Sequence, residues 1–175
     1  MLFETQIIKA AASDANAFSK LYQKYINPSY AFIAFRVKNR ADAEDLSSEL
    51  WMKVLNQLPS LKSHKPEVFR AWLFTMARNL VVDFYRKNKM TLPLNEDVGI
   101  PSEEENKKTF FEDALIKKLV QNLPQQQAEI ISLKYFSSLR NKEIAKLMRI
   151  SEKTVASHLV RAHEKLRKGL RKLAE

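Results

Sequence analysis

Five side chains near the C-terminus recur at helical spacing: Thr154, Ser157, His158, Arg161 and Lys165. Hydroxyls, an imidazole and two cations in that pattern suit recognition of an anion rather than bond-making, since they can bond phosphate oxygens and base edges. Val155, Leu159, Ala162 and Leu166 share another face at spacings of four, three and four, and that face must be buried. Ser151 is the expected N-cap, because its hydroxyl can accept an orphan N–H of the first turn. Upstream, Asn141–Met148 reads as a short helix with Ile144, Ala145 and Met148 inward, and Arg149-Ile150 reads as the turn. Arg149 stands where a positive φ is expected, at a cost on the order of 1 kcal/mol for a non-glycine. Helix, tight turn and basic second helix together predict a DNA-reading helix-turn-helix. The alternative is a helical hairpin with a solvated basic face.

Composition sets the wider frame. The 175 residues carry a net charge of +10, which favours a polyanionic partner. There is no cysteine, hence no disulfide or thiolate metal site. Only two glycines, Gly99 and Gly169, disfavour sheet hairpins, and we expect an all-α chain. No apolar run is long enough to span a membrane, and the start lacks a secretory pattern, so a cytoplasmic protein is expected. Charge is unevenly placed. Met1–Met90 holds 14 basic and 8 acidic residues, Thr91–Asp113 holds 2 and 7, and Ala114–Glu175 holds 14 and 5. Two basic modules, residues 1–90 and 113–175, separated by an acidic linker over 91–112, follow from that pattern.

Taken in order, Asp14 to Ile26 reads as a helix, stopped by Asn27-Pro28-Ser29, and Tyr30 to Lys38 as a second helix. Arg40 to Leu58 is a third, with Leu46, Leu50, Val54 and Leu58 inward. Asp42, Asp45 and Glu49 share its other face. That acidic cluster has three readings: a solvated face, a cation site, or a dock for a basic partner surface. Pro66 suits the first turn of a fourth helix running to about Lys89. Phe69, Leu73, Met76, Ala77, Leu80 and Phe84 form its expected buried stripe, with Arg78, Asn79, Asp83, Arg86 and Lys87 outside. Trp72, Phe74 and Tyr85 flank those polar residues. Rings beside cations suit single-stranded nucleic acid; equally, Trp72 and Phe74 are core. Beyond the linker, Phe110 to Asn122 resumes helix, and Pro124 opens another with Ile130, Leu133 and Phe136 inward.

Three stretches then carry a resemblance: ADAEDLSSELWMKVLNQL, FRAWLFTMARNLVVDFYRK and LPQQQAEIISLKYFSSLRNKEIAKLMRISEKTVASHLVRAHEKLRK. In that order and spacing the chain resembles the extracytoplasmic-function (ECF) sigma factors of bacterial RNA polymerase. The resemblance implies an all-α fold: a region 2 bundle and a region 4 helix-turn-helix, joined by a flexible linker. It implies that Asp42, Asp45, Leu46 and Glu49 dock on the clamp helices of core polymerase. It implies that Trp72, Arg78, Asn79, Asp83, Arg86 and Lys87 meet the −10 promoter DNA and help melt it. The loop Pro59–Lys65 corresponds to the segment that captures an unstacked −10 base. It further implies that Lys153, Thr154, Ala156, Ser157, His158, Val160, Arg161 and Lys165 read the −35 element. The helices before that reader would sit on the polymerase flap, and an anti-sigma factor would occlude these surfaces. The chain departs from the family at Ala156 and His158, where basic residues are common, and near Gln126. Ala156 offers only a methyl, which suits a thymine.

An enzyme is not expected. His64, His158 and His163 lack metal spacing, and neither a phosphate loop nor a nucleophile motif is present. No cofactor is expected. The alternative to an initiation factor is a stand-alone helix-turn-helix transcription regulator.

Overall fold

The computed structural model describes residues 2–87 and 115–174, and among these there are helices and no strands. The first half comprises α1 (Leu2–Ala10), α2 (Ala15–Ala34), α3 (Arg40–Gln57), a 3-10 turn (Leu58–Ser60) and α4 (Pro66–Lys87). The second comprises α5 (residues 115–121), α6 (Gln125–Phe136), α7 (Asn141–Met148) and α8 (Glu152–Ala174). The expected linker and the start of the helix from Phe110 lie outside the described residues.

The N-terminal boundaries differ from expectation. Asp14 caps α2, accepting from the backbone N–H groups of Asn16 and Ala17. The helix does not stop at Asn27-Pro28-Ser29; it runs through Pro28 to Ala34 as one element. Proline inside a helix costs about 3 kcal/mol. Burial on both sides of it, at Leu21, Tyr25, Phe32 and Ile33, outweighs that cost. Ser29 Oγ–H donates to the Tyr25 carbonyl within the helix, and accepts from Trp51 Nε1–H at 3.3 Å. α1 was not foreseen at all; it packs on α2 and α4, with Ile8 buried.

Asn39 caps α3 by accepting from the Asp42 N–H. Leu46, Leu50, Val54 and Leu58 are buried, as their four-residue recurrence predicts. Trp51 joins them, edge-on to Tyr22 and Phe18. In α4, Phe69, Leu73, Ala77 and Leu80 are buried as expected. Met76 and Phe84 are only half-buried, while Phe74, Val81 and Tyr85 are fully inside. The stripe is wider than one helix face because α4 packs on α1, α2, α3 and α7.

Tyr85 O–H donates to the Arg36 carbonyl at 2.8 Å, and Tyr25 O–H donates to Glu4. Burial pushes the Tyr85 hydroxyl up to about 12 from an ordinary 10.0, and pushes Tyr25 up further, with Glu4 adding to the rise. A folded pKa above the unfolded one gives stability complete below the unfolded value and lost as pH climbs through the folded one. Urea unfolding should therefore show stability falling between pH 10 and about 12, with a shallower fall in Tyr85→Phe.

In the second half, α6, α7 and α8 pack on one another around Ile130, Leu133, Ile144, Val155, Leu159 and Ala162. Arg149 adopts φ 56° and ψ 43°, and its N–H donates to the carbonyls of Ala145 and Lys146. The left-handed turn is thus made by an arginine, as the spacing predicts. Ser138 also takes a positive φ, 54°, between α6 and α7. Arg149→Gly should raise stability by about 1 kcal/mol in thermal unfolding, since it removes the Cβ penalty; no gain would mean the turn is unstrained. Gly169 serves closeness instead: a Cβ there would lie 2.5 Å from Leu119 Cδ2, so its bare backbone lets α5 approach α8.

The two halves touch. Buried apolar residues of both form one cluster, Phe35 meets Phe136 at 4.9 Å, and Gln121 Nε2–H donates to the Val37 carbonyl.

Candidate nucleic-acid and partner interfaces

The turn at Arg149 delivers the chain to Ser151, whose Oγ accepts from the Thr154 N–H at 3.0 Å. The Thr154 hydroxyl lies 2.7 Å from the same oxygen, so Thr154 is half-buried and engaged in capping. With Val155, Leu159 and Ala162 inward, the opposite face of α8 presents Lys153, Ala156, Ser157, Val160, Arg161 and Lys165 to solvent. His158 is half-buried and its Nδ1 is enclosed without a hydrogen-bond partner, so this ring does not stand free on that face as its spacing implied. Tyr135 is a feature that sequence reasoning missed. It is 64% exposed, and its O–H lies 2.8 Å from His163 Nε2, placing a ring beside α8. Its signal was an aromatic outside the Ile130–Leu133 stripe.

On α3, Asp45 and Glu49 are exposed. Glu49 pairs with Lys53 at 3.0 Å, a contact worth about 0.3–0.5 kcal/mol. Asp42 is half-buried, and its carboxylate accepts from Asn39 Nδ2–H, so part of its capacity serves the cap. Leu46 is 6% exposed and supports the helix from beneath; its side chain is not part of the open surface. Met52 and Leu55, which the sequence reading did not single out, are exposed on the same helix and add an apolar area one to two turns from the acids. Among the described residues, no group of three or more histidine, aspartate or glutamate side chains is arranged to hold a metal ion.

On α4, Asn79, Arg86 and Lys87 are exposed, and Asp83 pairs with Arg86 at 3.1 Å. Trp72 is half-buried against Phe69. Phe74 and Tyr85 are enclosed, so of the three flanking rings only Trp72 has an open edge. Arg78 is not free: its Nε–H donates to Glu129 Oε1 at 2.6 Å, across from α4 to α6. The loop between the 3-10 turn and Pro66 exposes Lys62 and Lys65. These three surfaces can hold a polyanion at two separated places and a mixed apolar and basic protein surface at a third.

Sequence and fold are both similar to those of known proteins. The family model for Sigma-70 region 2 matches residues 21–91, and that for Sigma-70, region 4, matches residues 113–166. The chain is 30% identical over 162 residues to the ECF RNA polymerase sigma factor BldN of Streptomyces coelicolor, covering 88% of this chain and 60% of that protein. It therefore spans less than two thirds of BldN. It is 30% identical over 152 residues to the ECF RNA polymerase sigma factor SigM of Bacillus subtilis, covering 85% of this chain and 91% of that one. Its fold resembles CnrH, solved in complex with the cytosolic domain of CnrY, at a TM-score of 0.71, 22% identity and 97% coverage of each chain. It also resembles the sigma factor RpoE in complex with the anti-sigma factor NepR from Bartonella quintana, at a TM-score of 0.69 and 21% identity, covering 88% of this chain and 96% of that one.

Proposed function

We infer the function from one premise: this chain belongs to the ECF sigma factors of RNA polymerase. It binds core polymerase, directs it to promoters through the −35 and −10 elements, and promotes melting and initiation. The observation that carries this reading is α8, held by the Arg149 turn with Ser157, Arg161 and Lys165 open to solvent on one face. Residues 113–175 act as region 4: Lys153, Ala156, Ser157, Val160, Arg161 and Lys165 meet the −35 duplex, with His158 and Thr154 positioning the helix. Residues 1–90 act as region 2, with 91–112 as tether. Asp45 and Glu49, flanked by Asp42, face the clamp helices, while Trp72, Arg78, Asn79, Asp83, Arg86 and Lys87 take the −10 DNA. Stacking on Trp72 would offset part of the few kcal/mol spent in unstacking a base. The factor has no active site and acts in the cytoplasm; no helix of the described residues is long and apolar enough to cross a membrane. An anti-sigma factor is the expected regulator, as for the similarly folded RpoE with NepR.

Adding the purified chain to core polymerase on a cognate promoter template should raise transcripts that start at that promoter. A chain that binds the promoter duplex tightly alone and adds no transcript would be a stand-alone regulator instead.

A further inference from the structure

Glu129 is a charged residue on α6 beside the inward Ile130, and it is only 4% exposed. Its Oε1 accepts from Arg78 Nε–H of α4 at 2.6 Å and lies 3.4 Å from Arg36 Nη1 at the end of α2. Both arginines belong to the first half of the chain and the acid belongs to the second. Two guanidinium groups on one carboxylate leave one positive charge in excess, in a place where charge is costly to bury. Arg36 is itself 8% exposed, and its Nε has no hydrogen-bond partner. Gln127, on the same helix as Glu129, is also buried with Oε1 unpaired. Burial lowers the affinity of Arg36 for its proton despite the neighbouring Glu129. A contact this imperfectly satisfied suits a joint that opens better than one that is permanent.

We propose that Glu129 is an internal competitor for nucleic-acid phosphate: it occupies Arg78 and Arg36 while the two halves are packed, and yields them to the backbone of a promoter strand when the halves part. This rests on the assignment of α4 to −10 DNA. A phosphodiester carries one negative charge and several acceptor oxygens, so it can replace the carboxylate on Arg78 without leaving that guanidinium unpaired. The closed chain then binds −10 DNA weakly, because apparent affinity falls by the fraction of molecules that are open. Closure in this sense withholds Arg78 and Arg36 only, since Asn79, Arg86 and Lys87 of α4 stay exposed in the packed chain. The reading face of α8 is exposed in the packed chain.

The chain has no cysteine, so Gln57→Cys and Lys168→Cys, both at exposed positions, give one dye pair spanning the halves. In the full chain, Glu129→Gln should shift energy transfer toward separated halves and tighten binding to a short forked −10 DNA by about tenfold. Adding Arg78→Gln should abolish that gain in affinity while leaving the halves apart. A measurement that leaves the core untouched uses the labelled chain without further substitution: forked DNA alone should shift the transfer in the same direction. Unchanged transfer in Glu129→Gln and on adding DNA would overturn the proposal. If core polymerase with the chain still yields promoter transcripts in that case, the proposal alone fails. Absence of transcripts would overturn the sigma-factor reading beneath it.

Discussion

Asp45→Arg combined with Glu49→Arg should abolish assembly with core polymerase. Both side chains are exposed on α3, so the substitutions do not enter the core beneath, where Leu46, Leu50 and Val54 are packed. The loss to the free protein is small: the exposed Glu49–Lys53 pair contributes a few tenths of a kcal/mol. The loss at the interface is large. If α3 meets a basic surface, two reversed charges replace attraction by repulsion, and like charges facing each other across an interface cost several kcal/mol. Affinity for core polymerase, measured by fluorescence anisotropy, should fall by about 100-fold or more. Circular dichroism should show the same helix content as the parent. Retained affinity would remove α3 from the docking surface and return Asp45 and Glu49 to a solvated face. Met52→Ser offers a gentler companion, because Met52 is 59% exposed and can lose only partner burial.

The second large effect is expected on α8. Arg161→Glu with Lys165→Glu reverses two charges on the face that carries Ser157. Each phosphate neutralised by a cation releases a counterion, so removing two such contacts should lower the magnitude of the salt slope by about two. Affinity for the −35 duplex should drop by about 100-fold at moderate salt, with repulsion added to the lost contacts. Folding should be unaffected, since Val155, Leu159 and Ala162 hold the helix from its other face. Binding to core polymerase through α3 should also persist, and that separates a failure to read DNA from a failure to assemble. An unchanged salt slope would mean that α8 does not lie against the phosphate backbone.

Which parts of this molecule could be read in advance depends on how local their causes are. α3, α7 and α8 were legible because their starts are fixed locally: the Asn39 and Ser151 side chains accept first-turn N–H groups, and the Glu143 carboxylate accepts the Arg140 backbone N–H. α4 opens on Pro66, whose missing N–H costs nothing in a first turn. The positive φ at Arg149 followed from the spacing of the helices around it. Pro28 misled for the opposite reason. Its local penalty is fixed, but the gain that overrides it comes from Phe32 and Ile33 packing on other elements, including Phe74 of α4. α1 was missed because its place depends on contacts with α2 and α4.

The surfaces divide in the same way. Periodicity alone places Lys153, Ser157, Arg161 and Lys165 opposite the apolar stripe of α8, and Asp45 and Glu49 opposite that of α3, since a helix turns a fixed angle per residue. Family character and the class of partner are also carried by the one-dimensional pattern. Tertiary structure alone decided that Phe74 and Tyr85 go inside, because α4 is covered on more than one side. It alone enclosed Nδ1 of His158. It alone joined Arg36 and Arg78 to Glu129, a pairing between residues at least 51 positions apart. Charge burial of that kind leaves no periodic trace, because it depends on which distant group arrives to meet it.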